Sequence, residues 1–331
     1  MRTHSSCWLV LALLAAALCV TSAHAERFFA VTGDTGEVEA IDTTGAKAWL
    51  YGSPDIEVSR NGLHFNVYVM DIRNNTHAGF ALDAPTGAEA RARLTEVLEY
   101  IADVLNERGT LDLLVKESAS LGSGFEVFGG TYFTANTSSQ AGAALYRLRM
   151  GVKQSADLPD MFLTVDFGGC FNFGADAPGA LELDFYSLLL HGLTHSLGVA
   201  SLMDRSGAST VSPGIYSEWD WHVVQGRAAA HLIDGNPPGF ATFVGDAGDL
   251  TCGDLAFDGP EAISRHGSMP KIYAPLLFAP GASICHWGED IANGAVLERV
   301  TPLGAARRRW APVDLGALTD IGYKYISEDA G

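Results

Sequence analysis

The chain has 331 residues, 47% of them apolar and 18% charged, which is enough for one large domain or two small ones around a real core. That balance excludes an intrinsically disordered chain. Lys and Arg total 21 against 39 Asp and Glu, and the net charge of −18 speaks against a nucleic-acid-binding face or a polybasic membrane patch.

Arg2 and His4 precede an apolar run from Trp8 to Val20, and Ala23-His24-Ala25 follows as an A-x-A site. This is the layout of a secretory signal peptide spanning residues 1–25, cut after Ala25. The run is too short to span a bilayer, and no later stretch is long and apolar enough to do so. Leu18 stands where a lipoprotein signal before Cys19 wants a small residue. The expected mature protein is therefore secreted or periplasmic, with no membrane span. It keeps Cys170, Cys252 and Cys285. An oxidising compartment predicts one disulfide between two of them, with all three pairings open. Each is equally readable as a small buried apolar residue.

Residues 26–60, punctuated by Gly33, Gly36, Gly45 and Gly52, predict short irregular β-structure with no assigned role. His64–Ile72 alternates apolar and polar and predicts a strand. A polar loop follows over 74–86. Thr86 and Glu89 have capping-box spacing, and Leu94, Val97, Leu98, Ile101 and Leu105 form one apolar stripe. They predict a helix closed by Gly109. Leu111–Val115 reads as a buried strand, so the order strand–helix–strand predicts a crossover in a partly parallel sheet. Residues 118–142 read as irregular, and Met161–Phe167 as a strand. Asp184 is placed to cap a helix running to about Val199. Short helices are expected near 217–231 and 313–321. A composition shift near residue 200 suggests two lobes of one unit, 26–198 and 199–331.

The helix at 185–199 holds the candidate chemistry. His191 and His195 are four residues apart, which puts both imidazoles on one helical face, where they can grip one metal ion. Leu188, Leu189, Leu190, Leu193 and Leu197 make the helix apolar almost all round, and two histidines on a buried helix need partners for their ring nitrogens. A pair of partly buried surface histidines is the plainer alternative. Gly198 can end the helix and turn the chain. The sequence has no G-x-S-x-G elbow, P-loop, G-x-G-x-x-G or C-x-x-C.

The stretch His191-Gly-Leu-Thr-His195-Ser-Leu-Gly198 resembles the His-Glu-x-x-His helix of zinc metallopeptidases, and above all that of secreted bacterial proteins reading His-Glu-Leu-Thr-His-x-Leu-Gly-Phe. These are similar in turn to leishmanolysin-type and pappalysin-type metzincins. Asp160–Phe167, Asp184–Asp204, Ala256–Ala262, Ser283–Trp287 and Leu318–Tyr323 fit the same likeness, which covers about residues 86–325. In leishmanolysin-type enzymes the third histidine follows a long insertion in a Ser-x-x-His-Trp segment, and Ser283-Ile-Cys-His286-Trp287 matches it. Ser201 stands where a compact metzincin places its third ligand. The resemblance thus implies an α+β zincin-like fold, with zinc held by His191, His195 and His286 and a peptide or protein ligand in the cleft. Three imidazoles would leave a fourth position for water.

Two departures bear on activity. Gly192 occupies the place of the Glu that takes the proton from zinc-bound water, and glycine has no group to do so. Leu297 stands where metzincins place a Met beneath the metal. Glu289, Asp290 and Asp220 are the nearby carboxylates that sequence offers as substitutes, and each reads more readily as an exposed solvating charge. The expected protein is a secreted zinc-metalloendopeptidase-like chain without efficient catalysis; the alternative is an active endopeptidase with a substitute general base.

Overall fold

The structure, a computed structural model, describes residues 27–41, 52–71, 79–80, 84, 86–118, 127–135, 141–226, 228–235, 241–291 and 294–325. The expected signal segment, residues 1–25, lies outside them. Seven strands form one mixed sheet: β1 (Phe28–Thr32), β2 (Val38–Ile41), β3 (Ile56–Arg60), β4 (Leu63–Asp71), β5 (Gly109–Ser118), β6 (Val127–Thr134) and β7 (Met161–Asp166). Their spatial order is β2-β1-β6-β7-β5-β4-β3. Among the described residues five α-helices accompany them: α1 (Gly87–Val104), α2 (Gly142–Met150), α3 (Phe185–Ser196), α4 (Pro260–His266) and α5 (Pro312–Asp320). The molecule is a mixed α+β protein.

β4, α1 and β5 form the expected crossover, with β4 and β5 parallel from Leu63↔Gly109 to Asp71↔Glu117. β5 and β7 are also parallel, whereas β6 runs antiparallel to both β7 and β1. Asn61 and Gly62 both have positive φ and turn β3 into β4 as a two-residue hairpin loop.

Period-two alternation divides the sheet into two faces. Leu111, Leu113, Val115, Leu163 and Val165 point to the large core that α1 and α3 cover. Leu114, Phe162, Tyr132, Phe28 and Ala30 form a smaller cluster. α3 packs on β6 and β7, so the histidine-bearing helix lies against the strand next to the β1–β2 hairpin.

The expected capping box at Thr86 does not form, because its side chain caps no backbone donor. Nor does Gly109 close α1. The helix stops where Leu105 turns extended to bury its side chain, and Asn106 N–H reaches Lys324 O at 2.8 Å. Gly109, at φ +142°, opens β5 instead. β6 runs through a stretch expected to be irregular. In the second half, Val223–Gln225 pairs with Ala230–His231 and Leu255–Phe257 in a small antiparallel sheet. α4 packs on α5 so closely that Gly316 faces the Ala262 backbone.

Candidate metal centre

α3 starts as the sequence indicates. Asp184 accepts from Ser187 N at 3.1 Å, and its other oxygen takes Arg308 Nη2 at 2.5 Å. The helix ends at Ser196, three residues before the expected limit, and Gly198 (φ +107°) reverses the chain. That reversal delivers Val199 O to His195 Nδ1 at 2.6 Å.

Gly192 lies at the closest approach of α3 to β6. A side chain on the facing Gly129 would run into Gly192 O, and a Cβ on Gly192 would sit 2.8 Å from Leu163 Cδ1 and 3.3 Å from Gly129 N. Ser196 fastens the same contact, donating to Phe162 O at 2.7 Å and accepting from Gly130 N at 3.2 Å. Gly192 is therefore a packing residue, whatever chemistry the resemblance implies for its position.

His286 comes from the loop 279–287. Ile284 stands there at φ +76°, a strained conformation for a β-branched residue. It is held by full burial, by Ile284 N donating to Tyr273 O at 2.9 Å and by Trp219 Nε1 donating to Ile284 O at 2.8 Å. Trp287 is buried and donates from Nε1 to Asp314 Oδ1 at 2.8 Å. The Asp314 carboxylate also accepts from Val296 N and Ala311 N at 2.8 and 2.9 Å. Asp314 thereby fixes the segment carrying Leu297, whose neighbour Val296 offers its carbonyl to His191 Nδ1 at 2.6 Å.

Each of the three histidines donates Nδ1–H to a backbone carbonyl: His191 to Val296 O, His195 to Val199 O and His286 to Ala282 O at 3.0 Å. A carbonyl only accepts, so these bonds fix the tautomer and aim each Nε2 lone pair inward. The Nε2 atoms of His195 lie 3.2 Å from those of both His191 and His286, and the latter two are 3.4 Å apart.

A fourth group joins them that sequence reasoning did not single out. Asp34, in the turn between β1 and β2, places Oδ1 at 2.6, 3.3 and 3.7 Å from Nε2 of His191, His195 and His286. Its Oδ2 accepts from Gly129 N at 3.1 Å. Only 5% of Asp34 is exposed, and it is held there by Gly33 N–H to Gly129 O (2.9 Å) and Gly36 N–H to Thr32 O (2.8 Å). Gly33 must be glycine, since a Cβ there would collide with the His195 ring. The one sequence signal was an Asp between two turn glycines, which by itself says only "turn".

The four buried ligand atoms can hold one metal ion. Donors bound tetrahedrally at about 2.0–2.1 Å are about 3.3–3.4 Å apart. The three Nε2 atoms, 3.2–3.4 Å apart, match that spacing, whereas Asp34 Oδ1 lies at hydrogen-bond distance, 2.6 Å, from His191 Nε2. Burial disfavours the charged His191 imidazole, but the Asp34 carboxylate 2.6 Å away outweighs it and raises His191 above the ordinary histidine range. Burial pushes the Asp34 carboxyl up, but the imidazoles of His195 and His191 outweigh it and hold it well below the ordinary carboxylate range. Burial lowers His286 to about 4, which keeps it neutral and able to ligate.

No protein-family model, curated protein or solved structure matches this chain.

The other candidates fall elsewhere. Ser201 is outside the cluster and accepts from Met203 N at 3.2 Å. Glu289 and Asp290 are exposed, with Asp290 paired to Lys271 at 2.9 Å. Asp220 is fully buried rather than solvated, and it accepts from Leu202 N and Ser217 N at 2.8 and 3.1 Å. It organises that loop and does not reach the histidines. The expected disulfide is not formed: all three cysteines are free. Cys285 is buried with its Sγ 3.2 Å from Gly33 O, while Cys170 and Cys252 are exposed. No helix among the described residues is long and apolar enough to cross a membrane.

Beside Asp34 and His191 opens a cavity of about 310 Å³, walled by Leu183, Leu188, Val300, Leu303 and the exposed Arg299. Gly33 and Gly36 of the β1–β2 turn, with Ser201, Gly281 and Cys285, border a second, of about 430 Å³.

Proposed function

We propose that this chain is a secreted zinc-binding protein of the metallopeptidase type, with a metzincin-like fold, that does not hydrolyse peptides as it stands. The observation that carries the reading is the convergence of three carbonyl-fixed imidazole nitrogens and the Asp34 oxygen. Three nitrogens and one carboxylate oxygen suit zinc, and a tetrahedral site with four protein ligands is of the closed type. Zinc in an open site would polarise a peptide carbonyl and lower the pKa of a bound water. Here Asp34 takes the position that water would need, and Gly192 offers no base to activate it. Both features support a binding role, with a peptide or protein as the ligand in the cleft.

A second reading rests on the same carboxylate. Among the described residues, Asp34 is the carboxylate grouped with the three histidines, so it is the candidate substitute base for an active endopeptidase.

Elemental mass spectrometry of the purified protein tests the first reading. We expect one zinc per wild-type chain and much less in His286→Ala. A zinc-free wild type, even after loading with zinc, overturns it. Peptide hydrolysis separates the two readings: the closed-site reading expects none from wild type. Zinc-dependent cleavage by wild type that falls about 10²–10⁴-fold in Asp34→Ala supports the substitute base instead.

A further inference from the structure

We propose that the cavity beside Asp34 and His191 is a subsite for an acidic side chain of an extended polypeptide, and that Arg299 reads its carboxylate. The inference rests on the metal-bearing peptide cleft proposed above and adds which residue that cleft selects.

The cavity combines two surfaces that suit an amphipathic side chain. Leu183, just before α3, and Leu188 on it line the cavity together with Val300 and Leu303, each about half exposed. Gly304 N donates to Glu182 O at 2.9 Å, which fastens the segment after Val300 to the segment before α3. Against this apolar lining stands one guanidinium, that of Arg299.

Arg299 is the cation left over once the local charges are paired. Its neighbour Glu298 pairs with Arg307, Asp290 with Lys271 and Asp184 with Arg308. Asp34, the carboxylate in the cavity wall, is taken by His191 and by Gly129 N. Glu289 is exposed and borders a smaller cavity of about 210 Å³ that Arg299 also lines, but the two form no ion pair. Among the described residues the Arg299 guanidinium meets no carboxylate. It lies over the Tyr273 ring, with Cζ 5.0 Å from the centroid. That contact gives no N–H donor an acceptor oxygen, so the fork that matches a carboxylate stays available. Tyr273 is fixed in turn, donating N–H to His286 O at 2.8 Å and accepting from Ile284 N at 2.9 Å. The ring that positions Arg299 therefore belongs to a segment laced to the third-ligand loop.

In a chain of net charge −18, such a cation is a local exception. With zinc bound as proposed, a dipositive ion offset by the Asp34 carboxylate leaves the centre positive as well. An acidic side chain entering the cavity faces both, in a recess whose apolar walls strengthen the attraction. The methylenes of a glutamate can lie along Leu188 and Leu303 while its carboxylate accepts from Arg299. A glutamine has the same shape without the charge, and a lysine meets like charge.

The test uses the zinc-loaded full chain and isothermal titration calorimetry with the peptide acetyl-Ala-Leu-Glu-Val-Ala-amide and its Gln and Lys counterparts. Acetyl and amide ends leave the glutamate as the one carboxylate. Wild type should bind the Glu peptide at least about tenfold tighter than the Gln peptide in about 50 mM salt, and the preference should shrink as salt rises. Arg299→Ala should bind the two equally, with the zinc content of wild type. Arg299→Glu should prefer the Lys peptide, a reversal that loss of packing would not produce. No binding of the Glu peptide, no preference in wild type, or a preference that survives in Arg299→Ala would each overturn the inference. So would a Gln peptide with a free C-terminal carboxylate that binds as tightly as the Glu peptide, because Arg299 would then read chain ends. A wild type without zinc overturns the proposed function itself; zinc present without the glutamate preference overturns this inference alone.

Discussion

At the scale of single residues, the two that decide the chemistry are a glycine that is present for two reasons and an aspartate that sequence periodicity could not reveal. Gly192 has no proton-carrying side chain, and it also lets α3 lie directly on β6. Gly192→Glu therefore should not create a peptidase. The new side chain must push between helix and strand, at about 1–3 kcal/mol for overpacking, and in the proposed closed site Asp34 would still fill the fourth position. Thermal melting should show a lower Tm, and a peptide-cleavage assay should show no gain. Asp160 shows a different consequence of burial. Its Oδ2 accepts from Asp112 N at 2.8 Å, and the charged groups around it are Lys153, Arg147 and the Asp112 carboxylate. Burial dominates and raises its pKa from 3.8 to about 7. The folded state thus holds a proton that the unfolded chain releases, and stability is lost as pH rises from about 4 towards about 7. Asp160→Asn keeps an acceptor without the titration. Urea unfolding at pH 5 and pH 8 should show a smaller loss of stability in the variant than in wild type.

At the scale of elements, the legible parts of the sequence were those with strong local signals. The apolar stripe of α1, the Asp184 cap and the β4–α1–β5 crossover all follow from periodicity and capping chemistry that act within a few residues. β6 was hidden because Gly129 and Gly130 break the apolar alternation, yet those glycines are what allow α3 and β1 to approach it. The β3–β4 hairpin carried an available signal in Asn61-Gly62, the pair that suits a two-residue turn with positive φ. The histidines were readable from spacing and from a motif-level resemblance. Asp34 was not, because nothing local distinguishes a ligand-bearing turn from any other turn; only the pairing of β1 with β6 brings it to the site. The third-ligand loop and the segment under the metal hang together through Asp314. Asp314→Ala would leave the buried donors of Trp287 and Val296 without a partner, at about 1–3 kcal/mol each before relaxation, and would free the part-buried Ala311 N–H as well. Val296 O, which orients His191, would lose its anchor. We expect a lower Tm together with zinc affinity weakened about 10–100-fold, measured by competition with a chromogenic chelator, since partners that orient ligands have effects of that size.

At the scale of the whole molecule, the centre ties three distant parts of the chain: the β1–β2 turn, α3 and the loop before Trp287. His191 lies 157 residues from Asp34, and His286 lies 91 from His195. An ion shared by such distant segments stabilises the fold by binding it and not the unfolded chain. Chelation should therefore lower Tm markedly in wild type and shift it much less in His195→Ala, as differential scanning calorimetry would show. The separation of the ligands also sets an order of events during synthesis. The β1–β2 turn emerges from the ribosome first, yet β6, the strand that holds it, follows about 100 residues later, or on the order of 5–20 s at ordinary elongation rates. His286 emerges later still. Until then no set of four donors exists, so an ion held there would be the last component to arrive, and the earliest-made segment of the described chain would wait for the latest-made ligand before either is locked in place.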